Sequence, residues 1–133
     1  MAVGPRRNKT DVSMKYPLSE LVDRYTILLL KAYRLSNDPI VTNEVVKFRT
    51  AIDEFEHPRI HEYIRLLMDV NGAIWDLESD IRKGKEGELG LEEVGKRALK
   101  IRKLNNERIK IKNRISKTLG DFEESKIDHA SQD

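Results

Sequence analysis

Arg108 stands where a helix should place an apolar contact, and its position needs a chemical reason. Ile101, Leu104, Ile111 and Ile115 recur at helical intervals and form one apolar stripe, which Arg108 interrupts. A guanidinium in such a stripe must meet a carboxylate or a ligand, because a buried charge without a partner is costly. The spacing therefore points to either a structural ion pair or a binding site.

Two other segments carry polar residues beside their apolar stripes. Asn71 and Glu78 interrupt the stripe of one predicted helix, and with Trp75 and Arg82 they form a ridge along one face. Charged residues form a second ridge on the most apolar segment of the chain. In a helical bundle these faces are predicted to converge, so we take the three sets as one candidate ligand-binding set: Glu20, Asp23, Arg24, Lys31, Asn71, Trp75, Glu78, Arg82, Asn105, Arg108 and Lys112.

These residue types suit two roles, and the sequence leaves both open. The carboxylates and cations can satisfy one another and fix the register of the helices. Alternatively, they can form a pocket, in which a guanidinium binds phosphate or carboxylate and an indole stacks on a flat ring. Amides would then read a base or sugar edge, and carboxylates would accept ribose hydroxyls. The second set of contacts describes a nucleotide-like ligand better than a bare anion.

The elements that must position these residues are helices, because strand signals are nearly absent and the sequence predicts an all-α fold. We expect helices over residues 18–35, 39–56, 58–83 and 91–119, separated by SNDP, HP and the glycine-rich KGKEGELG. They are predicted to form a bundle of about four long antiparallel helices. The first is apolar almost all round, so it should be central or shared with another copy, and a homo-oligomer is expected.

Length and composition limit the possible classes of protein. The 133 residues fit one domain, and we expect a flexible N-terminal arm at 1–16, a helical domain at 17–120 and an acidic tail at 121–133. The sequence has no cysteine, which excludes disulfides and thiolate metal sites. No apolar run is long enough to cross a bilayer, and the N-terminus lacks the pattern of a signal peptide. We therefore expect a cytoplasmic protein without a membrane partner.

The motifs do not identify a catalytic centre. The sequence has no glycine-rich phosphate loop, GxSxG or HExxH, and Pro58 separates His57 from His61, so this pair is expected at the surface rather than on a metal. No cofactor or metal is expected. Ten Lys or Arg residues between 96 and 117 are spread around their helix without aromatic residues, a pattern that does not favour nucleic-acid binding.

Three blocks of the sequence resemble, in order, those of a small all-helical family of bacterial and phage proteins whose activity is not established. The blocks are LSELVDRYTILLLKAYRL, VNGAIWDLESDIRKG and LNNERIKIKNRISKTLGDFEESK, and the resemblance spans about residues 18–126. Asn106, Ser116 and Asp121 depart from the usual Asp, Asn and Ser. The matching positions are Glu20, Asp23, Arg24, Thr26, Lys31, Asn71, Trp75, Glu78, Arg82, Asn105, Arg108, Lys112 and Gly120. Most of them belong to the candidate set, which favours one shared site.

The leading hypothesis is non-catalytic binding of a small anionic, nucleotide-derived ligand. Phosphate would be met by Arg24, Lys31, Arg108 and Lys112, while Asn71, Asn105 and Glu78 would orient ribose or base and Trp75 would stack. A small phage-type binder of this kind could act as a sponge that sequesters a host immune nucleotide signal in the bacterial cell. The alternatives are an interaction protein with a purely structural polar network and an enzyme acting on nucleotides or nucleotide-sugars.

Overall fold

A computed structural model describes residues 11–35, 38–84 and 89–119 of the chain. The regular secondary structure of this part is entirely helical, without a strand, which confirms the predicted all-α class. The helices are α1 (Asp11–Lys15), α2 (Leu18–Arg34), α3 (Pro39–Asp53), α4 (Ile60–Gly84) and α5 (Leu91–Leu119). Within these residues, no helix combines the length and the apolar character that a membrane span requires.

Local capping explains where α3 and α4 begin. Asp38 precedes α3, its carboxylate accepts the backbone N–H of Ile40 at 2.9 Å, and Pro39 occupies the first helical position. At the start of α4, the Nδ1 atom of His57 accepts the backbone N–H of Arg59 at 3.0 Å. Both helices thus start with a side chain that satisfies a backbone donor.

His57 contradicts the expectation that the histidines lie at the surface. It is 4% exposed, because its ring packs edge-on against Tyr63 with 5.6 Å between the ring centroids. Burial, aided by the charge of Arg59, holds the pKa of His57 below its usual value. The ring is therefore neutral at pH 7 and can accept the hydrogen bond that caps α4. His61, one turn later, is exposed as expected.

The central helix is α2, which contacts each of the other helices in the described part of the chain. This position explains why the segment is apolar almost all round. The core cluster around it consists of Leu18, Leu21, Val22, Tyr25, Phe48, Ala51, Ile52, Tyr63, Leu67, Ile111 and Ile115.

A short helix, α1, occupies part of the range predicted as a flexible arm. It contacts α2 and α3, and Ser13 on it is buried. Val12 and Tyr16 pack against the core. Residues 11–16 are therefore part of the folded domain, because two of their side chains cover apolar surface. Residues 1–10, Gly120 and the predicted acidic tail lie outside the described residues.

Candidate functional site

Arg108 is paired with a buried carboxylate on α2. Its Nε donates to Oδ1 of Asp23 at 2.9 Å, and its Nη2 donates to Oδ2 at 2.5 Å. This is the bidentate geometry in which a guanidinium binds a carboxylate most strongly. The Asp23 side chain is fully buried, whereas that of Arg108 is 29% exposed. The arginine thus neutralises an interior aspartate and still presents part of its surface to solvent.

Asn71 and Thr26 supply further hydrogen bonds at Asp23. The Nδ2 atom of Asn71 donates to Oδ1 of Asp23 and to Oγ1 of Thr26, both at 2.9 Å. The Thr26 hydroxyl in turn donates to the backbone carbonyl of Asp23 at 2.7 Å. These bonds join α2 to α4 through groups that would otherwise be buried without partners. Thr26 was not among the predicted site residues, although it is one of the positions that match the resembled family.

A second ion pair extends this arrangement along α2 and α5. The Nζ atom of Lys112, which is buried, donates to Oε2 of Glu20 at 2.8 Å and lies 3.8 Å from Oδ2 of Asp23. Arg24 donates from Nε to Oε1 of Glu20 at 3.1 Å. We call the connected residues between α2, α4 and α5 the polar network: Glu20, Asp23, Thr26, Asn71, Arg108 and Lys112.

The polar network keeps Asp23 ionised. Burial alone would raise the pKa of this carboxyl, and it is the largest single influence. The hydrogen bonds and charge of Arg108, the hydrogen bond of Asn71 and the charge of Lys112 together outweigh it, so the net pKa lies below its ordinary value. Asp23 is consequently a charged, fully paired acceptor at neutral pH rather than a proton acceptor poised for catalysis.

A cleft of about 310 Å³ opens beside the polar network, between α2, α4 and α5. Its volume falls at the small end of the range of small-molecule sites. We call it the Trp75 cleft, and it is lined by Ile27, Leu30, Asn71, Ile74, Trp75, Glu78, Asn105 and Arg108. It brings together five residues of the predicted set from the consecutive helices α4 and α5.

Three side chains of the Trp75 cleft are available to a ligand. Trp75, Glu78 and Asn105 make no side-chain hydrogen bond or ion pair within the described residues. They offer an aromatic face, a carboxylate and an amide, respectively. Arg108 and Asn71, by contrast, connect the floor of the cleft to the polar network. The cleft therefore combines a paired floor with polar walls that have no side-chain partner among the residues that the structure describes.

A second cleft, of about 280 Å³, lies on the other side of Ile27, where α2 meets α3 and the residue that follows α1. We call it the Tyr16 cleft, and it is lined by Tyr16, Arg24, Ile27, Leu28, Lys31, Glu44 and Phe48. The Tyr16 and Phe48 ring centroids are 6.1 Å apart, and the guanidinium of Arg24 lies 4.6 Å from the Tyr16 centroid. Lys31 is exposed and has no ion pair among the described residues.

The predicted site residues thus fall into distinct groups rather than one. Glu20, Asp23 and Lys112 lie within the polar network, and Arg24 and Lys31 line the Tyr16 cleft. Glu78, expected at core spacing, is exposed, and Arg82 is exposed and lines neither cleft. Arg34, the last residue of α2, forms an ion pair with Asp76 on α4. The turns of α4 after Asp76 therefore extend beyond the end of α2, which explains why Glu78 and Arg82 are exposed.

Across residues 11–35, 38–84 and 89–119, no group of three or more histidine, aspartate or glutamate side chains is arranged to hold a metal ion.

Comparison with protein-family models, with curated proteins and with solved structures finds no match to this chain. The resemblance of its three sequence blocks to a helical bacterial and phage family therefore stays a prediction. The features that bear on function are the two clefts and the polar network.

Proposed function

We propose that the Trp75 cleft binds a small anionic, nucleotide-derived ligand and does not transform it. The observation that supports this most directly is the convergence of Trp75, Glu78 and Asn105, none with a side-chain partner in the described chain, on one cleft beside Arg108. A planar base would stack on the indole, the amide would bond a base or sugar edge, and the carboxylate would accept ribose hydroxyls.

The polar network serves as the support of this site. Asp23 holds the Arg108 guanidinium by two hydrogen bonds, and the bond from Asn71 fixes Asp23 in turn. A guanidinium fixed in this way presents its exposed part to the cleft without losing side-chain entropy on binding. The structural role and the binding role are therefore compatible, because they belong to different members of the predicted set.

The available cations decide where a phosphate would lie. Lys112 is buried and paired with Glu20, so it belongs to the polar network and not to the ligand contacts. Arg108 is partly exposed, and Arg24 and Lys31 are exposed on the neighbouring face of α2. We assign phosphate contact to these three side chains.

Binding without turnover would make the protein a sequestering agent for a nucleotide signal in a bacterial cell, as expected of a phage sponge. The two carboxylates of the polar network support this assignment, because Glu20 and Asp23 both form ion pairs with cations. A group held in this way is a poor general base.

The predicted bundle and oligomer belong to the same proposal. The pairs Glu20–Lys112 and Asp23–Arg108 run in opposite sequence directions, which supports antiparallel packing of α2 and α5. Tyr33 is 78% exposed near the end of α2, and this supports the expectation that a second copy covers part of the helix.

The proposal is tested by thermal unfolding of the purified chain with nucleosides, nucleoside mono- and diphosphates, cyclic dinucleotides and nucleotide-sugars. A bound compound at 100 times its dissociation constant should stabilise the fold by about 2.7 kcal/mol. We expect Asn105→Ala to weaken the response at least tenfold, because it removes a cleft amide without touching the polar network.

Asn106→Ala is the matched control, since Asn106 adjoins Asn105 on α5 and does not line the Trp75 cleft. Equal loss in both variants, or no stabilisation by any of the compounds, would overturn the proposed site. Mass spectrometry of the recovered compound tests the absence of turnover, and a converted product would favour the enzyme hypothesis instead.

A further inference from the structure

The two clefts share one wall. Ile27 lines both the Trp75 cleft and the Tyr16 cleft, and it is half-buried at the surface of α2. Arg24 and Lys31 lie three residues before it and four residues after it, so the three side chains follow one face of the helix. At a rise of 1.5 Å per residue, the two cations are separated by roughly 10 Å along the helix axis. Both cations line the Tyr16 cleft, next to the residue that the two clefts share.

Charge is distributed unequally between the clefts. In the Trp75 cleft the positive charge of Arg108 is paired with Asp23, and Glu78 adds a negative charge. In the Tyr16 cleft Lys31 has no ion pair within the described residues, and Arg24 shares Glu20 with Lys112. The only acidic residue that lines the Tyr16 cleft in the described chain is Glu44, and its Oε2 lies 3.6 Å from Nζ of Lys47 in an ion pair.

This difference separates the groups that suit a base from those that suit a phosphate. The indole, the amide and the carboxylate lie in the Trp75 cleft, whereas the less compensated cations lie across Ile27. A nucleotide whose base and sugar lie in the Trp75 cleft would place only its first phosphate near Arg108. Further phosphates would have to cross Ile27 to meet Arg24 and Lys31, which attract them because these cations are exposed and incompletely paired.

We infer that the Trp75 and Tyr16 clefts form one extended site, which binds a nucleoside diphosphate or its ester with the nucleoside beside Trp75 and the second phosphate across Ile27 at Arg24 and Lys31. This inference rests on the proposed function and narrows its ligand class. It also gives the aromatic pair of the Tyr16 cleft a role, since a group esterified to the second phosphate would lie against Tyr16 and Phe48.

The inference is tested by calorimetric titration of the full chain with the nucleoside, monophosphate and diphosphate of adenine, guanine, cytosine and uracil. For the base that binds, we expect the diphosphate to bind at least tenfold more tightly than the nucleoside. Lys31→Ala should remove most of this gain and leave nucleoside affinity unchanged. Lys96→Ala is the matched control, because Lys96 is an exposed lysine on α5 that lines neither cleft.

Each alternative outcome has a distinct meaning. Equal affinity for nucleoside and diphosphate, or a gain that survives Lys31→Ala, would overturn the extended site and leave the Trp75 cleft as the whole binding site. An equal loss in Lys31→Ala and Lys96→Ala would show general attraction of charge and would overturn it as well. If no compound of any base series binds the wild-type chain, the proposed function fails together with this inference.

Discussion

The two sides of α2 are built on different physical principles. Towards α3 the buried contacts are mainly apolar and include Phe48, Ala51 and Ile52, and one hydrogen bond joins Arg49 to the Tyr25 hydroxyl at 3.3 Å. Towards α5 the same helix presents Asp23 and Glu20, which are paired with cations. Apolar contacts are non-directional and scale with buried area, whereas an ion pair requires one partner at one position. The side of α2 that faces α3 thus supplies stability, whereas the side that faces α5 also fixes the register between the two helices.

The polar side is also the side that forms the candidate site. A buried charge pair gains little over well-packed apolar residues, so stability alone is a weak reason to retain one. In this protein the pair places Arg108 at the floor of a cleft. Burying this ion pair costs desolvation energy, but it gives the Trp75 cleft a charged floor, which apolar side chains would not provide.

Removing the interior carboxylate is expected to have the largest effect on the folded state. Asp23→Ala leaves Lys112 buried beside an incomplete set of acceptors and removes the main partner of Arg108. Loss of one member of a buried pair costs about 3–5 kcal/mol. Urea unfolding would measure this loss, and a change below about 1 kcal/mol would show that the polar network has no structural role.

Truncating an apolar side chain of α3 that is buried against the core tests the other side of the comparison. Ile52→Ala should lower the free energy of unfolding by about 2–5 kcal/mol, because it leaves a cavity in the core. Asp23→Ala, which removes a partner of Arg108, should also change the relative response to nucleotides, whereas Ile52→Ala should not. Val46→Ala serves as the control on the same helix, since Val46 is exposed and should change stability by less than about 0.5 kcal/mol. A change in ligand preference with Ile52→Ala would contradict the division between the two sides.

The smallest expected effect is on the pH dependence of stability, to which Asp23 contributes on the side of α2 that faces α5. The pKa of Asp23 is lower in the folded chain than its value of about 3.9 in an unfolded chain, so the unfolded state binds more protons in acid. The stability that Asp23 supplies is present above this unfolded-state pKa and is lost as the pH falls through the folded-state pKa. We expect a shallower acid loss in Asp23→Asn than in the wild type when unfolding is followed at several pH values. His57 contributes equally to both proteins, so parallel curves would contradict the assignment to Asp23.

The helices were predictable because their signals are local. The break before Pro58 and the cap at Asp38 needed no knowledge of neighbours, although α3 ends at Asp53 rather than near residue 56. The five-residue helix α1 was missed because it is too short to show a periodic pattern.

The site was predictable only in part, because pairing is decided by the packing of distant elements. The interruption at Arg108 is visible in the sequence, but its partner Asp23 lies 85 residues away. Thr26 matched the resembled family but was missed as a site residue, because its partner Asn71 lies 45 residues away. The division of the predicted set by Ile27 was also invisible, because spacing along α2 does not tell which neighbour covers each face.

The most direct test of the account uses Trp75, the only tryptophan in the sequence, as a reporter inside the cleft. ADP, GDP, CDP and UDP would each be titrated against the wild type, Asn105→Ala and Asn106→Ala while the tryptophan emission is recorded. We expect a saturable change in emission with at least one diphosphate, with affinity weakened at least tenfold in Asn105→Ala and preserved in Asn106→Ala. Emission that stays constant with all four diphosphates, or that changes equally in the two variants, would contradict the central claim that this cleft binds a nucleotide.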